Sequence, residues 1–551
     1  MIGVLAPETE NWVISEFFEL FKTPWEFFRS DRTYDVILSV GDVSCDERSA
    51  KLIVHYASCR LRMDAEEGIE VTVHNTRDLI SQDGSSLVIY DGHLSFRDSG
   101  KGTDVEPRVA DRFSYRSERD GFRIERIGYD LFAEISHLLT IGQPEEFAQF
   151  PTVDLHIALL RDLIITSGCE LLEIPPVPEG FGCIACLTHD IDHPAIKFHK
   201  WDFTALGFLY RATAGSVASL IRGRLKFRDL VKNWIAAAKL PLVYIGLAKD
   251  FWSGFEDRYS DVEDGIPSTY FVVPFGKNPG SKLDDPAPRR RATGYGAKDI
   301  KDALLKIKAN GCEVAVHGID AWWDSDLGRR ELEEIRNVTG GKDLGVRMHW
   351  LFFDEESPKL LEEAGAAYDS TIGYRSTVGF RSGTTQVFKP RLTDRLLELP
   401  LHVMDTALFY PAYANLSPKN ACCLLRELVN QVAALGGCVT VNWHDRSLAS
   451  ERLWGASYAD LLEQLKSCGA WFATASESVA WFRKRRSVVF RTDGLDEDAG
   501  SMTGEACEKL PGLLLRVHNT GKNVEEAATH FVDIPFPGVR QGVSELRDHC
   551  T

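Results

Sequence analysis

Four histidine-bearing segments stand out by residue type and spacing: Thr188-His189-Asp190-Ile191-Asp192-His193, Val316-His317-Gly318, Arg347-Met348-His349 and Trp443-His444-Asp445-Arg446. Each comes after a short β-rich apolar run, and three of those runs come after a stretch with helical periodicity. That pattern predicts polar, metal-competent side chains at the carboxyl ends of successive parallel strands. A metal hydrolase needs about three nitrogen or oxygen ligands with one position left open for water, and an acid and a base beside that water. Asp192, His317 and His349 supply a carboxylate and two imidazoles for a divalent ion, zinc being the ion expected. Asp190 lies two residues before Asp192, so in extended chain both share a face. One carboxylate can hold the metal while the other takes the proton; the spacing leaves open which does which, and Asp190 as base with Asp192 as ligand is the assignment adopted. His444, with Asp445 beside it, is the candidate acid for the leaving amine. Metal coordination lowers the pKa of water from about 15.7 toward roughly 7.

Other residues carry lesser expectations. Arg347 is expected to orient the base by a bidentate carboxylate contact. Arg381, in a glycine-flanked loop, is a candidate for binding a substrate carboxylate or acetyl oxygen. Trp350 and Trp443 are candidate substrate-binding aromatics, and His189 and His193 are extra ligands or residues that shape the mouth. Cys183 and Cys186 match C-x-x-C, but strand alternation sends the two thiols to opposite faces, the pattern of core residues.

The elements that must position these groups form an alternating series. From Gly182 to about Arg486 the order is strand, long helical insert, then strand and helix in turn, through strands at Ser268–Val273, Cys312–Val316, Leu344–Leu351, Ala366–Thr371, Leu397–Met404 and Cys438–Asn442. Such alternation implies a parallel sheet closing into an incomplete barrel. Residues 1–175 read as a separate α/β unit without a phosphate loop or nucleophile motif. Ile174-Pro175-Pro176-Val177-Pro178-Glu179-Gly180 reads as the linker into a barrel at 182–486. A small β-rich tail occupies 487–551.

Bulk composition narrows the function classes. The 551 residues exceed one core, with 44% hydrophobic and 26% charged residues in the range of a globular protein. A net charge of −18 argues against nucleic acid as the main partner. Twelve cysteines without a regular framework suit a reducing compartment. Met1–Pro7 shows no basic, apolar leader pattern, and no apolar window is long enough to span a bilayer, so a cytoplasmic location is expected. The insert at 197–250 departs from the overall acidity: ten Lys and Arg face only Asp202, Asp229 and Asp250. It is expected either to form a lid over the barrel mouth or to make a peripheral contact with an anionic membrane or glycan.

Taken together, residues 182 to about 486 resemble the polysaccharide deacetylases (carbohydrate esterase family 4 and relatives, with a NodB-like barrel), in a divergent bacterial branch found among surface-polysaccharide functions. Thr188-His189-Asp190-Ile191-Asp192 is similar to the family's T-F-D-D-G, Ser268-Thr269-Tyr270-Phe271-Val272-Val273 to its second strand, Arg347 to the arginine of its third motif, and Asn442-Trp443-His444-Asp445 to its late L-x-H-D. The resemblance implies a distorted (β/α)7 barrel, a divalent metal and removal of N-acetyl groups from amino-sugar glycans. The second family motif, H-S/T-x-x-H, is broken: Ala321 stands where the second histidine belongs. His349, on the neighbouring strand, restores the ligand count. Two rival functions remain open in the sequence. A glycoside-cleaving enzyme would pair Asp190 with Asp320 or Asp445. A non-catalytic glycan-binding protein would keep the tryptophans Trp322, Trp323, Trp350 and Trp443 and lose the metal.

Overall fold

The computed structural model describes residues 1–41, 50–82, 85–98, 112–119, 122–491, 494–497, 510–518 and 531–536. The chain divides into two compact units, one of residues 181–381 and 385–480, the other of residues 1–180, 382–384 and 481–551.

The first of these is a parallel barrel. Its strands are β1 (Ile184–Ile191), β2 (Thr269–Val272), β3 (Glu313–Gly318), β4 (Val346–Met348), β5 (Val403–Met404), β6 (Cys438–Asn442) and β7 (Trp471–Ala473). The hydrogen-bonded order is β4-β3-β2-β1-β6-β5, with β7 also on β1, and every pairing is parallel. Isolated parallel bridges Val346–Asp369, Asp369–Glu398 and Gly373–Leu401 carry the ring from β4 round to β5. Segments at 369–373 and 398–401 thus fill the places where full strands were expected, and the barrel is the distorted seven-membered kind. Parallel strands joined through helices are covered on both faces, and β1, β2 and β6 are buried at every position, polar residues included.

Helices between strands are set by local signals. Ser325–Thr339 starts where the Asp324 side chain accepts a hydrogen bond from the Leu327 amide, and it ends at Gly340 with φ +70°. Pro418–Leu435 is capped by Ser417 in the same way and starts with proline at its first turn. The basic insert folds as helices Phe203–Tyr210, Ser216–Ile221 and Phe227–Tyr244, the first two joined by a π-helical turn at Arg211–Gly215. The expected strand at Leu344–Leu351 is shorter: the chain leaves it after Met348 and makes a 3-10 turn at His349–Leu351. Trp350 and Leu351 take φ of +63° and +51° there, a left-handed backbone costly for side chains of this size.

The other unit holds a six-stranded sheet in the order Trp25–Phe27, Ile2–Leu5, Val36–Val40, Leu52–Tyr56, Phe122–Ile127, Ser114–Arg119. It is parallel except for the last pair. The C-terminal strands Leu514–His518 and Phe531–Pro535 join Leu171–Glu173 in an antiparallel sheet of this same unit. Among the described residues no helix is long and apolar enough to cross a membrane.

Candidate metal centre

At the carboxyl ends of β1, β3 and β4 the side chains of Asp192, His317 and His349 converge. Asp192 Oδ1 lies 3.5 Å from His317 Nε2 and 3.4 Å from His349 Nε2, and one ligand atom from each lies within 4.8 Å of the others. His317 Nδ1 bonds the Arg347 carbonyl at 3.0 Å, which makes it the protonated nitrogen and leaves the Nε2 lone pair facing Asp192. Burial pushes the His349 imidazolium down to about 3, against the pull of Asp192, so this ring is a neutral ligand. Burial raises the Asp192 carboxyl, but its histidine neighbours, with His444 carrying the charge, hold it well below the usual carboxylate range. Asp192 Oδ1 is buried and has no hydrogen-bond donor. An ionised oxygen in that state, facing two imidazole nitrogens, is a donor set that fits a divalent cation.

Asp190 sits beside this group and is held from three sides. Arg347 Nη1 donates to its Oδ1 at 3.0 Å, Asn442 Nδ2 donates to its Oδ2 at 2.7 Å, and its backbone amide donates to Asn442 Oδ1. His317 Nε2 is 3.7 Å from Oδ2. Burial opposes ionisation here, yet His317 and Arg347 keep the Asp190 carboxyl below its ordinary value. Arg347 is fully buried and makes a single bond to Asp190 in place of the expected bidentate contact. The same Nη1 also donates to Thr188 Oγ1, while Nε and Nη2 donate to the carbonyl and hydroxyl of Ser370, which fixes the fork.

His444 faces the same group, with Nε2 3.8 Å from Asp192 Oδ2. Its Nδ1 bonds Asp405 Oδ1 at 2.6 Å, and its backbone amide donates to Asp405 Oδ2. Burial lowers the imidazolium, but the Asp405 charge and hydrogen bond, with Asp192 and Asp190, raise it to about 10. Asp405 and Asn442 are the polar partners that sequence reasoning missed. Asp405 comes directly after β5, a strand-end position like those of the histidines, and Asn442 ends β6; strand-end polarity was the signal for both.

The remaining candidates divide. Asp445 lines the cleft, but Oδ2 accepts the His193 amide at 2.7 Å while Oδ1 is buried without a donor; burial and Asp192 raise its carboxyl to about 6. Trp350 lines the cleft with the Arg290 guanidinium 5.5 Å from its ring. Trp443 corrects an expectation: it is fully buried between Phe409 and Tyr458, because alternation along β6 turns it away from the face of Asn442 and His444. Arg381 is absent from the cleft lining and donates to the Gly373 carbonyl. His189 bonds Trp443 O and Glu263 through its two ring nitrogens, so it has no nitrogen left for a metal. Asp320, the other carboxylate considered for glycoside cleavage, accepts from Ser281, Trp323 and Asn278 and is absent from the cleft lining. The cleft over these groups has a volume of about 620 Å³.

No protein-family model matches the chain, and neither does any curated sequence. Solved structures do show similarity. A polysaccharide deacetylase structure from Mycobacterium smegmatis aligns at 20% identity over 56% of this chain and 95% of its own, with a TM-score of 0.35. Another from Pseudomonas aeruginosa PAO1 aligns at 13% over 58% and 96%, TM-score 0.35. The allantoinase PuuE aligns at 12% over 56% and 92%, TM-score 0.35. The chain resembles the polysaccharide deacetylases. At these scores the likeness adds nothing to the chemistry, which rests on the convergence of Asp190, Asp192, His317, His349 and His444.

Proposed function

We propose that the chain is a metal-dependent hydrolase that removes an N-acyl group, N-acetyl by preference, from an amino sugar of a bacterial polysaccharide or its precursor. The observation that carries this reading is the buried, donor-free Asp192 oxygen facing two imidazole nitrogens. Asp192, His317 and His349 would hold the ion, taken to be zinc because the donors are two nitrogens and one carboxylate. When bound, such an ion supplies Lewis acidity to the acyl oxygen and lowers the pKa of water. Asp190, kept ionised and fixed by Arg347 and Asn442, accepts the proton of the attacking water. His444, protonated and held by Asp405, donates a proton to the departing nitrogen. Asp445 anchors the His193 backbone beside them, and Trp350 offers a ring face to the sugar.

The insert supports two roles. Phe203 and Arg211 line the cleft, as a lid does. Trp201, Phe203, Tyr210, Ile221, Phe227 and Leu247 are each at least 68% exposed, interspersed with lysines and arginines, which favours peripheral contact with an anionic membrane. Co-sedimentation with phosphatidylglycerol vesicles tests that contact, and equal recovery with neutral vesicles counts against it.

The central test is metal analysis of the purified chain and then acetate release from a panel of N-acetylated sugars, before and after chelation. Stoichiometric divalent metal and chelator-sensitive acetate release are expected. Full activity after chelation sinks the reading, and glycosidic cleavage without acetate release replaces it.

A further inference from the structure

Arg446 and Arg452 are 7% and 8% exposed, yet both line the cleft of the metal-competent group, together with Arg211 from the insert. Arg446 lies two residues after His444, in the turn that leaves β6. Its Nη1 is buried with no acceptor, and so are the Nε atoms of Arg452 and Arg211. Among the described residues no carboxylate comes within 4.0 Å of any of these three guanidiniums. Two of them pack on aromatic rings. Trp252 lies 4.7 Å from Arg446, Trp454 lies 4.9 Å from Arg452, and Arg452 Nη2 donates to the Tyr410 hydroxyl at 3.1 Å. Glu451, whose charge acts on Arg211, accepts from Trp252 Nε1.

Three guanidiniums facing one cavity with unused N–H groups and no salt bridge are costly to bury unless an anion from outside completes them. Burial and the charge of Arg452 push Arg446 down to about 9 and Arg211 down to about 10, the sign of cations short of negative partners. Aromatic rings cover the guanidinium faces of Arg446 and Arg452 and leave N–H edges for a planar or tetrahedral oxyanion, which arginine grips by paired hydrogen bonds. Arg290, Arg291 and Arg375 line the same cleft, so arginines outnumber its aspartates Asp190, Asp192 and Asp445 in a chain of net charge −18.

We propose that Arg446, Arg452 and Arg211 form an anion subsite, which takes a phosphate or carboxylate carried by the amino sugar whose acyl group is removed. The inference rests on the deacylation reading for the sugar, but the anion site itself has a readout apart from turnover. The substrate class is then an acidic amino sugar: a sugar phosphate, or a residue bearing a uronic carboxylate.

Two measurements on the full chain test it. In the first, inorganic phosphate is titrated by calorimetry against the wild type, Arg446→Gln and Arg211→Gln. Saturable 1:1 binding that weakens at least tenfold in both variants is expected; the half-buried Arg211 keeps the test alive if Arg446→Gln fails to fold. In the second, acetate release is compared among N-acetylglucosamine, its 1-phosphate and an N-acetylated aminouronic acid. A preference of at least tenfold for one acidic sugar, reduced in Arg452→Gln, supports the subsite and names the anion. Phosphate binding lost in the variants without turnover of any sugar supports the subsite and overturns the deacylation reading. Absent phosphate binding together with equal turnover of neutral and acidic sugars overturns the subsite.

Discussion

Arg126 and Arg446 are both buried arginines, one in each unit, and they are treated in opposite ways. Arg126 donates to Asp64 Oδ1 at 3.2 Å, to the Ala57 carbonyl at 2.9 Å and to the Cys59 carbonyl at 2.8 Å. In the same unit Arg486 meets both oxygens of Glu16 at 2.8 Å, and Arg485 donates to the carbonyls of Ile174 and Leu20. In the barrel, Arg446 Nη1 and Asp192 Oδ1 are as deeply buried and have no partner. Burial of charge is therefore no mark of function by itself. Compensation separates these residues: fully paired charges fix a fold, while unpaired ones at a cavity wall leave valence for a ligand.

The largest effects should come where the unpaired groups do chemistry. Asp192→Ala should lose bound metal, read by elemental analysis, and with it all measurable acetate release. His444→Ala should keep the metal and lower kcat by about 10²–10⁴-fold. Retained kcat in His444→Ala would remove it as the acid. A tenfold smaller loss in Asp405→Asn would place Asp405 as a positioning residue only.

Stability changes should then run in opposite directions at the two arginines. Arg126→Met leaves the buried Asp64 without its cation and should cost about 3–5 kcal/mol of unfolding free energy, measured by denaturant titration. Arg446→Met removes an uncompensated cation packed on Trp252, and should be neutral or stabilising by about 1–2 kcal/mol in phosphate-free buffer. Equal losses at both sites would break the comparison.

The smallest effect is a pH dependence at Glu173, in the same unit as Arg126. Burial raises the Glu173 carboxyl, but Arg161, His518 and Arg516 outweigh it and hold it down to about 2. A depressed folded value contributes stability above the ordinary carboxylate pKa, and that contribution fades as pH falls from about 5 toward 2. Thermal unfolding of Glu173→Gln should accordingly show a shallower acid slope than the wild type, although its stability at neutral pH is lower.

Much of the site was legible in the chain because parallel barrels place function at strand ends, and Asp190, Asp192, His317, His349 and His444 all come at the ends of apolar runs. Trp443 was misread for want of the same rule, since the residue between Asn442 and His444 must face the other way. Arg381 looked like a substrate-binding residue because of its glycines, and it donates to the Gly373 carbonyl instead. The strands at 366–371 and 397–404 were right in place but overstated in regularity, because edge segments of a distorted barrel meet their neighbours at single bridges.

Local pattern alone determined the alternation of strands and helices, the barrel class and the residue types able to bind metal, since these depend on periodicity and on the polar residues that end each apolar run. Tertiary structure alone decided the pairings: Asp405 with His444, Asn442 with Asp190, and Arg211 of the insert beside Arg446 and Arg452 in one cleft. Those contacts join positions tens to hundreds of residues apart. Charge and hydrogen bonding act over a few ångströms of space, and separation along the chain carries no record of that distance.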